Sequence, residues 1–446
     1  MPAMEWRDLP DVRYARTGGV AVAYQIVGTG PQCMVFVTVL SNLVTLWMRE
    51  DWRRFLERLS AAARLIVLNP RGMGLSDRPR TLTLEGWMDD VGAVLDAEHV
   101  DRATLFGSVD GANTCLLFAA SYPERVERLI LFRPYARLAR SPEYPLGRPE
   151  EELTAGLQPT REQFGGREYL LDQARRTTPH LAEDEEYLEW YVWNMRLSVS
   201  PTGAAELLRM RNGTDITDVL GSVRVPTLVI HRNDTRAEAE YVADRIPTAT
   251  RIEVHGTGRD PTADAVVDAA LAFIGDEAPR VVPDSVLATL LFTDLVESTA
   301  SAAHVGDVRW KTMLEAHHAE VRREVERYRG TVLDTAGDGF FCRFDGPARA
   351  IECARNILAR APVHGLEVRA GIHTGECVIT GDKLAGLSVV IAARVAEHAR
   401  AGELLVSQTV KDLVAGSELA FEARGEHALK GVPGAWLLHA VAGRSP

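Results

Sequence analysis

VLATLLFTDL (286–295) and TVLDTAGDGFFCRF (331–344) decide how the second half of the chain folds. The first is an apolar run whose single charge is Asp294, and it reads as a strand. The second reads as a hairpin-like pair of strands turning through a Gly-Asp-Gly that holds Asp338. Between them VRWKTMLEAHHAEVRREVERYRG (308–330) has the pattern of a long helix. ARAIECARNILARA (348–361) is a second helix, EVRAGIHTGECVIT (367–380) two further strands, and LSVVIAARVAEHA (387–399) a third helix. ELLVS (403–407) and AWLLHAV (435–441) supply the last strands. Strand, helix, strand pair, helix, strand predicts an α+β domain with a ferredoxin-like core.

Upstream, GDEAPRVVPDS (275–285) has two prolines and mixed charge and reads as a linker. Before it the rhythm changes. AVAYQIV (21–27), CMVFVTVL (33–40), RLIVLN (64–69) and ATLFG (103–107) are strand-like, and they alternate with the helical patterns DWRRFLERLSAAA (51–63) and NTCLLFAASYPERV (113–126). This alternation predicts an α/β domain with a doubly wound, mostly parallel sheet. A helical insertion rich in Pro, Arg, Glu and aromatics interrupts it at about 135–215, and PTLVIHRND (226–234) resumes it. The expected partition is therefore 1–274, a linker at 275–285, and 286–446.

Composition excludes several classes. Charged residues are 25% of the 446 and hydrophobic residues 46%, the balance of a globular chain. A net charge of −12 without a Lys/Arg-rich run argues against nucleic acid as a partner. Five scattered cysteines, with no CxxC pair, fit a reduced cytoplasmic protein without a zinc site. The start carries charge from Glu5 onward and lacks an apolar signal region, and Gly28 to Gln32 break the uncharged stretch Thr17–Met48, so no membrane span is expected.

LLFTDLVEST (290–299), TAGDGF (335–340), GIHTGE (371–376), AARV (392–395) and HALKGVPGAW (427–436) occur in this order across nearly all of 286–440. Together they resemble the class III adenylyl and guanylyl cyclase catalytic domain. The resemblance implies conversion of ATP or GTP into the cyclic 3′,5′-monophosphate with two divalent cations, Mg²⁺ or Mn²⁺. Carboxylates suit such hard ions, and Asp294, Leu295 and Asp338 fall on the family's metal positions. Backbone N–H groups of Leu295-Val296-Glu297-Ser298 would cradle the phosphates. Arg394 matches the transition-state arginine and Lys430 the triphosphate lysine. The family's sites lie between two such domains, which implies a homodimer with shared sites. His317 and His318 are given helix-face or packing roles.

Three positions depart from the family. Its adenine-reading Lys and Asp are here Asp334 and Lys383, an exchange of charge that suits guanine unless the two simply pair with each other. Its ribose-orienting Asn is Val390, which cannot hydrogen-bond. A nucleotide-binding sensor or scaffold with little turnover is the alternative function.

PRGMGLSD (70–77), LFGSVDGAN (105–113) and PTLVIHRND give residues 20–275 a resemblance to the α/β-hydrolase fold. That fold sets a nucleophile third in a G-x-S-x-G turn. Here the turn is Gly107-Ser108-Val109-Asp110-Gly111, so Val109 holds the nucleophile's place. Arg259 in VHGTGRDP stands where the base His is expected, and Asp234 remains as the acid. With nucleophile and base gone, the expected role is a retained scaffold, or a ligand-sensing or dimerising module whose cleft could bind a small apolar molecule. A hydrolase working through other residues is the weakest alternative.

Overall fold

The computed structural model describes residues 9–255, 258–275, 285–296, 305–336, 338–380 and 383–442. The chain forms two compact units, Met1–Pro283 and Asp284–Pro446.

The first unit is built on eight strands: β1 (Arg13–Thr17), β2 (Val20–Val27), β3 (Cys33–Val37), β4 (Arg64–Leu68), β5 (Ala103–Ser108), β6 (Val126–Phe132), β7 (Thr227–His231) and β8 (Ala249–Glu253). Their order in the sheet is β1-β2-β4-β3-β5-β6-β7-β8. The edge pairs β1/β2 and β2/β4 are antiparallel, and every pair from β4 to β8 is parallel. β5 and β7 are buried almost throughout because helices cover both faces, which is why they read as unbroken apolar runs. Outside them the helix Glu50–Ala62 buries Phe55, Leu56 and Leu59 along one stripe and places Glu50 and Asp51 in its first turn, where the helix dipole favours acids.

Between β6 and β7 lie the inserted helices Glu150–Ala155, Leu157–Gln163, Arg167–Thr177, Glu185–Ser198 and Pro201–Gly213. The insertion docks through specific bonds. Trp190 Nε1 donates to the Thr45 carbonyl at 2.8 Å, and Asn194 Nδ2 donates to the Leu40 carbonyl at 3.1 Å. It therefore roofs the loop that follows β3.

The turn from β5 into the helix Asp110–Ser121 has one residue, Val109, at φ 53° and ψ −110°. A β-branched side chain rarely adopts positive φ, and the conformation costs roughly 1–3 kcal/mol. Its surroundings impose it. A Cβ on Gly107 would lie 2.3 Å from the Gly111 carbonyl oxygen, and one on Gly111 would lie 2.4 Å from that of Val37. The helix thus rests backbone to backbone on the sheet, and the turn is as sharp as a nucleophile elbow although it presents an isopropyl group.

The second unit has β9 (Ser285–Leu295), β10 (Thr331–Ala336), β11 (Gly339–Phe344), β12 (Val368–Thr380), β13 (Lys383–Ala385), β14 (Leu404–Ser407), β15 (Phe421–Ala428) and β16 (Ala435–Val441). The order is β10-β11-β9-β12-β14-β16-β15, with β13 beside β12. β9, the helix Asp307–Arg327, β10, β11, the helix Pro347–Arg360 and β12 make the expected ferredoxin-like core. Val321, Val325, Ile351 and Ile357 from those two helices meet Leu291, Phe340, Phe344 and Ile372 from the sheet.

Two expectations need correction. EVRAGIHTGECVIT forms one strand, β12, which pairs antiparallel with β9 over eleven residues. Its glycines do not break it; they let the helix Leu387–His398 approach, since a Cβ on Gly371 would sit 2.1 Å from the Ala396 nitrogen. β15 had no apolar signal, because it is an edge strand lying largely in solvent.

Gly107→Ala tests the backbone contact at the elbow. It is expected to destabilise the first unit by about 1–3 kcal/mol or more in a urea titration. Gly92→Ala is the control. Its Cβ would meet Phe118 at an ordinary 3.7 Å within the helix Leu84–Ala97, so it is expected to be neutral or to gain up to about 1 kcal/mol.

Candidate active site

Asp294 is the last residue but one of β9, and the β10–β11 hairpin turns through Asp338. Phe340 pairs with Thr293, so both acids lie at the same end of neighbouring strands. On the other side of β9, Arg369 is the direct partner of Asp294. Its Nε and Nη2 both donate to Asp294 Oδ2, at 3.0 and 2.5 Å. Oδ1 has no such partner among the described residues.

These groups fit a hard divalent cation. Asp294 keeps one carboxylate oxygen unengaged, and its side chain is 40% exposed. Leu295 can offer only its carbonyl. No cluster of three or more His, Cys, Asp or Glu stands among the described residues. An ion here would take its remaining ligands from water or from a substrate's phosphates.

The expected phosphate cradle is partly spoken for. The Val296 N–H donates to the Glu367 carbonyl at 2.8 Å, which removes it as a phosphate donor. Glu297 and Ser298 lie outside the described residues.

Arg394 sits on the helix Leu387–His398. Ser388, Ile391, Ala392, Val395 and Ala396 of this helix are buried, while Leu387 and Val390 remain 50% and 39% exposed. Arg394 Nε donates to the Lys430 carbonyl at 3.2 Å, and its guanidinium pairs with Glu397, whose hydrogen bond raises the arginine's pKa. Arg394 and Lys430 are thus brought together, but neither touches Asp294 or Asp338 of the same chain. Arg369 stands between the two groups, since its Nη1 also donates to the Glu397 carbonyl at 3.2 Å. The sequence reading did not single out Arg369. Its signal was its register opposite Asp294, which only the β9–β12 pairing reveals.

Residues 283–443 match the adenylate and guanylate cyclase catalytic domain, and residues 45–251 match the alpha/beta hydrolase fold. The second unit is an adenylyl/guanylyl cyclase catalytic domain. A receptor-type adenylate cyclase of Trypanosoma congolense is 28% identical over 225 residues, covering 38% of this chain and 30% of that protein. A 2-hydroxy-6-oxo-2,4-heptadienoate hydrolase of Pseudomonas putida is 33% identical over 121 residues, 27% of this chain and 43% of that one. The chain thus spans less than half the length of these curated relatives. The enol-lactonase structure from Burkholderia xenovorans superposes with a TM-score of 0.51 at 22% identity, covering 59% of this chain and all of that one, and supports the first unit's fold.

Within the cyclase domain, Asp334 and Lys383 form no ion pair with each other. Asp334 accepts from the Thr335 N–H at 2.8 Å. Along the ladder Asp334 is level with Phe341, Phe292 and Gly371, whereas Lys383 pairs with Thr380 at the far end of β12. Mutual neutralisation is therefore not what occupies them. His317 is buried, which with the nearby His318 lowers its pKa to about 4, and His318 meets Phe340 edge-on at 4.9 Å. Both are packing residues.

In the hydrolase-like unit, Val109 faces a cavity with Arg259, but Asp234 is engaged by Arg133 at 2.6 Å. The acid of the expected triad thus serves an arginine. His255 lies beyond β8 and is exposed.

No helix among the described residues is long and apolar enough to cross a membrane.

His373, in the GIHTGE motif, gives a pH test. It is buried against Trp436, its Nδ1 lies 2.8 Å from Ser407 Oγ, and burial brings its pKa down to about 3. The unfolded chain binds this proton near pH ~6.5. Its stabilising contribution is thus intact above that pH and declines by about 1.4 kcal/mol per unit as pH falls toward 3. His373→Asn is expected to flatten the pH dependence of the domain's urea midpoint between about pH 6 and 4.

Proposed function

We propose that this protein converts a purine nucleoside triphosphate into its cyclic 3′,5′-monophosphate and pyrophosphate, as a homodimer in cyclic-nucleotide signalling. Membership of the cyclase family supports the reaction type. The observation that carries the dimer is the separation of two half-sites on one chain. Asp294 and Asp338 occupy one end of the sheet, and Arg394 is held by Glu397 and the Lys430 carbonyl, with Arg369 between it and Asp294, on a helix face that also exposes Leu387 and Val390. Apolar side chains around a catalytic arginine favour burial against a second copy.

Asp294 Oδ1 and Asp338 would hold two divalent cations, Mg²⁺ or Mn²⁺. When bound, these supply Lewis acidity that lowers the pKa of the ribose 3′-hydroxyl and offsets the triphosphate charge. The 3′-oxygen attacks the α-phosphorus, its proton passes to water, and the bond to the β-phosphate oxygen breaks to release pyrophosphate. Arg394 of the partner subunit donates to the α-phosphate oxygens as charge builds there, and Lys430 binds the triphosphate.

Three assays test the core of this reading together: Asp338→Ala alone, Arg394→Ala alone, and their mixture, with Mn²⁺ and ATP or GTP. Each variant alone is expected to lose about two orders of magnitude in rate. A random equal mixture is expected to recover about one quarter of wild-type activity, because half the dimers are mixed and each has one intact site. An inactive mixture containing proven heterodimers rules out shared sites.

Val390 supports a second, slower reading, a nucleotide binder with little turnover. The missing ribose hydrogen bond costs about 1–3 kcal/mol. ATP is the family default and GTP the choice suggested by Asp334 and Lys383. Guanine offers N1–H and N2–H to a carboxylate and O6 to an ammonium. The ratio of kcat/KM for GTP over ATP is expected to fall at least about tenfold in Asp334→Lys/Lys383→Asp. An unchanged ratio means that these residues do not read the base.

A further inference from the structure

The inserted helices enclose a chamber above β5. A cavity of about 130 Å³ lies beside Val109, and a larger one of about 630 Å³ extends beneath the insertion. Leu40, Tyr191, Met195, Arg211 and Arg259 line both, so the two adjoin around Arg259. Together they have the size for a small organic molecule.

The charges in this space do not balance locally. Arg211 is neutralised by Asp110, which also accepts from the Tyr135 hydroxyl at 2.6 Å. Asp234 is held by Arg133, and Arg176 by Asp172. Arg259 is different. Its backbone N–H donates to the Thr177 carbonyl of the insertion, which fixes the residue against the roof. Its guanidinium has neither a hydrogen bond nor an ion pair among the described residues, and its accessible surface opens onto the chamber. Arg148, on the same wall of the larger cavity, likewise has no ion pair among the described residues. Glu152, Glu238 and Asp260 line the space too, but none of them lies within ion-pair distance of either arginine, and burial raises the Asp260 pKa to about 6.

The Arg259 guanidinium has protein all round it yet keeps accessible surface inside the chamber, and no protein anion meets it within ion-pair distance among the described residues. Burial and the adjacent Arg211 charge bring the Arg259 pKa down to about 10. Even so it stays protonated at neutral pH, so the unmet demand is for a negative charge with two acceptor oxygens. Beyond it the smaller cavity is walled by Phe36, Leu46, Trp52 and Trp190, which call for an apolar body.

We infer that this chamber binds an amphipathic organic carboxylate, its head group on Arg259 and its apolar tail beside Val109 among Trp52 and Trp190. Val109 offers no nucleophile and Arg259 no base at neutral pH, so the ligand is held and not cleaved. The fold's hydrolytic corner thereby becomes a receptor, and the purely apolar ligand expected from the sequence acquires an acidic end. The site lies wholly in the first unit and is independent of the cyclase chemistry.

The test is calorimetric titration of the full-length protein, without nucleotide, using 6-phenylhexanoate and 6-phenylhexan-1-ol. The two probes share ring and chain and differ in the charged head. The acid is expected to bind at least about tenfold more tightly than the alcohol, with the difference shrinking as salt rises. Arg259→Gln is expected to bring the ratio to about one while leaving the alcohol's affinity unchanged, and Arg259→Lys to retain part of it. Equal affinities in the wild type, an undiminished ratio in Arg259→Gln, or binding of neither probe below about 1 mM overturns the inference. If Arg259→Gln fails to fold, the wild-type ratio and its salt dependence decide alone.

Discussion

In both units a helix lies directly on a strand, backbone against backbone, and that contact places the Val109 elbow in one and the Arg394 helix in the other. At β5 the missing side chains of Gly107 and Gly111 let the helix Asp110–Ser121 start one residue after the strand ends. At β12 the missing side chain of Gly371 lets the helix Leu387–His398 settle on the sheet, so that the helix end carrying Arg394 and Glu397 comes within reach of Arg369. Such contacts tolerate no extra methyl, because close-packed backbone cannot relax as a side chain can. They also explain how the first unit keeps its elbow with a valine in it: the packing on either side dictates the turn, and Val109 accommodates the strain.

Much of the fold was legible because its signals are local. The alternation of buried runs and amphipathic helices marked the α/β sheet, and the FTDL and GDGF motifs marked the ends of β9 and the β10–β11 hairpin. What escaped was set by partners distant in sequence. Gly371 looks the same whether it ends a strand or admits a helix, and only the helix settles which. β15 lacks apolar alternation because no layer covers it. At the candidate site, Asp294 and Asp338 were legible from their motifs. Arg369 was not, because its relation to Asp294 exists only in the register of β9 and β12. Asp234 could be recognised as the surviving acid, but its engagement by Arg133 depends on the turn after β6.

The two units handle charge in opposite ways. In the cyclase domain the exposed cation Arg394 and the acid Asp294 each have a partner in the same chain, and both partners are weak enough to be exchanged, since ion pairs open to solvent contribute little. In the hydrolase-like unit Asp234 and Asp110 are held by arginines, while Arg259 lines the cavity without an ion pair among the described residues. With Val109 and Arg259 at the elbow and beyond β8, the cleft presents an apolar side chain and a cation.

The Arg369–Asp294 pair also bears on how the sheet forms. Sites in which several acids crowd together without a cation fold poorly until an ion arrives, and their stability then follows metal supply. Asp294 avoids this, because a guanidinium on the adjacent strand shares its charge from the moment the sheet forms. Asp294 therefore needs no cation to offset its charge while the sheet forms.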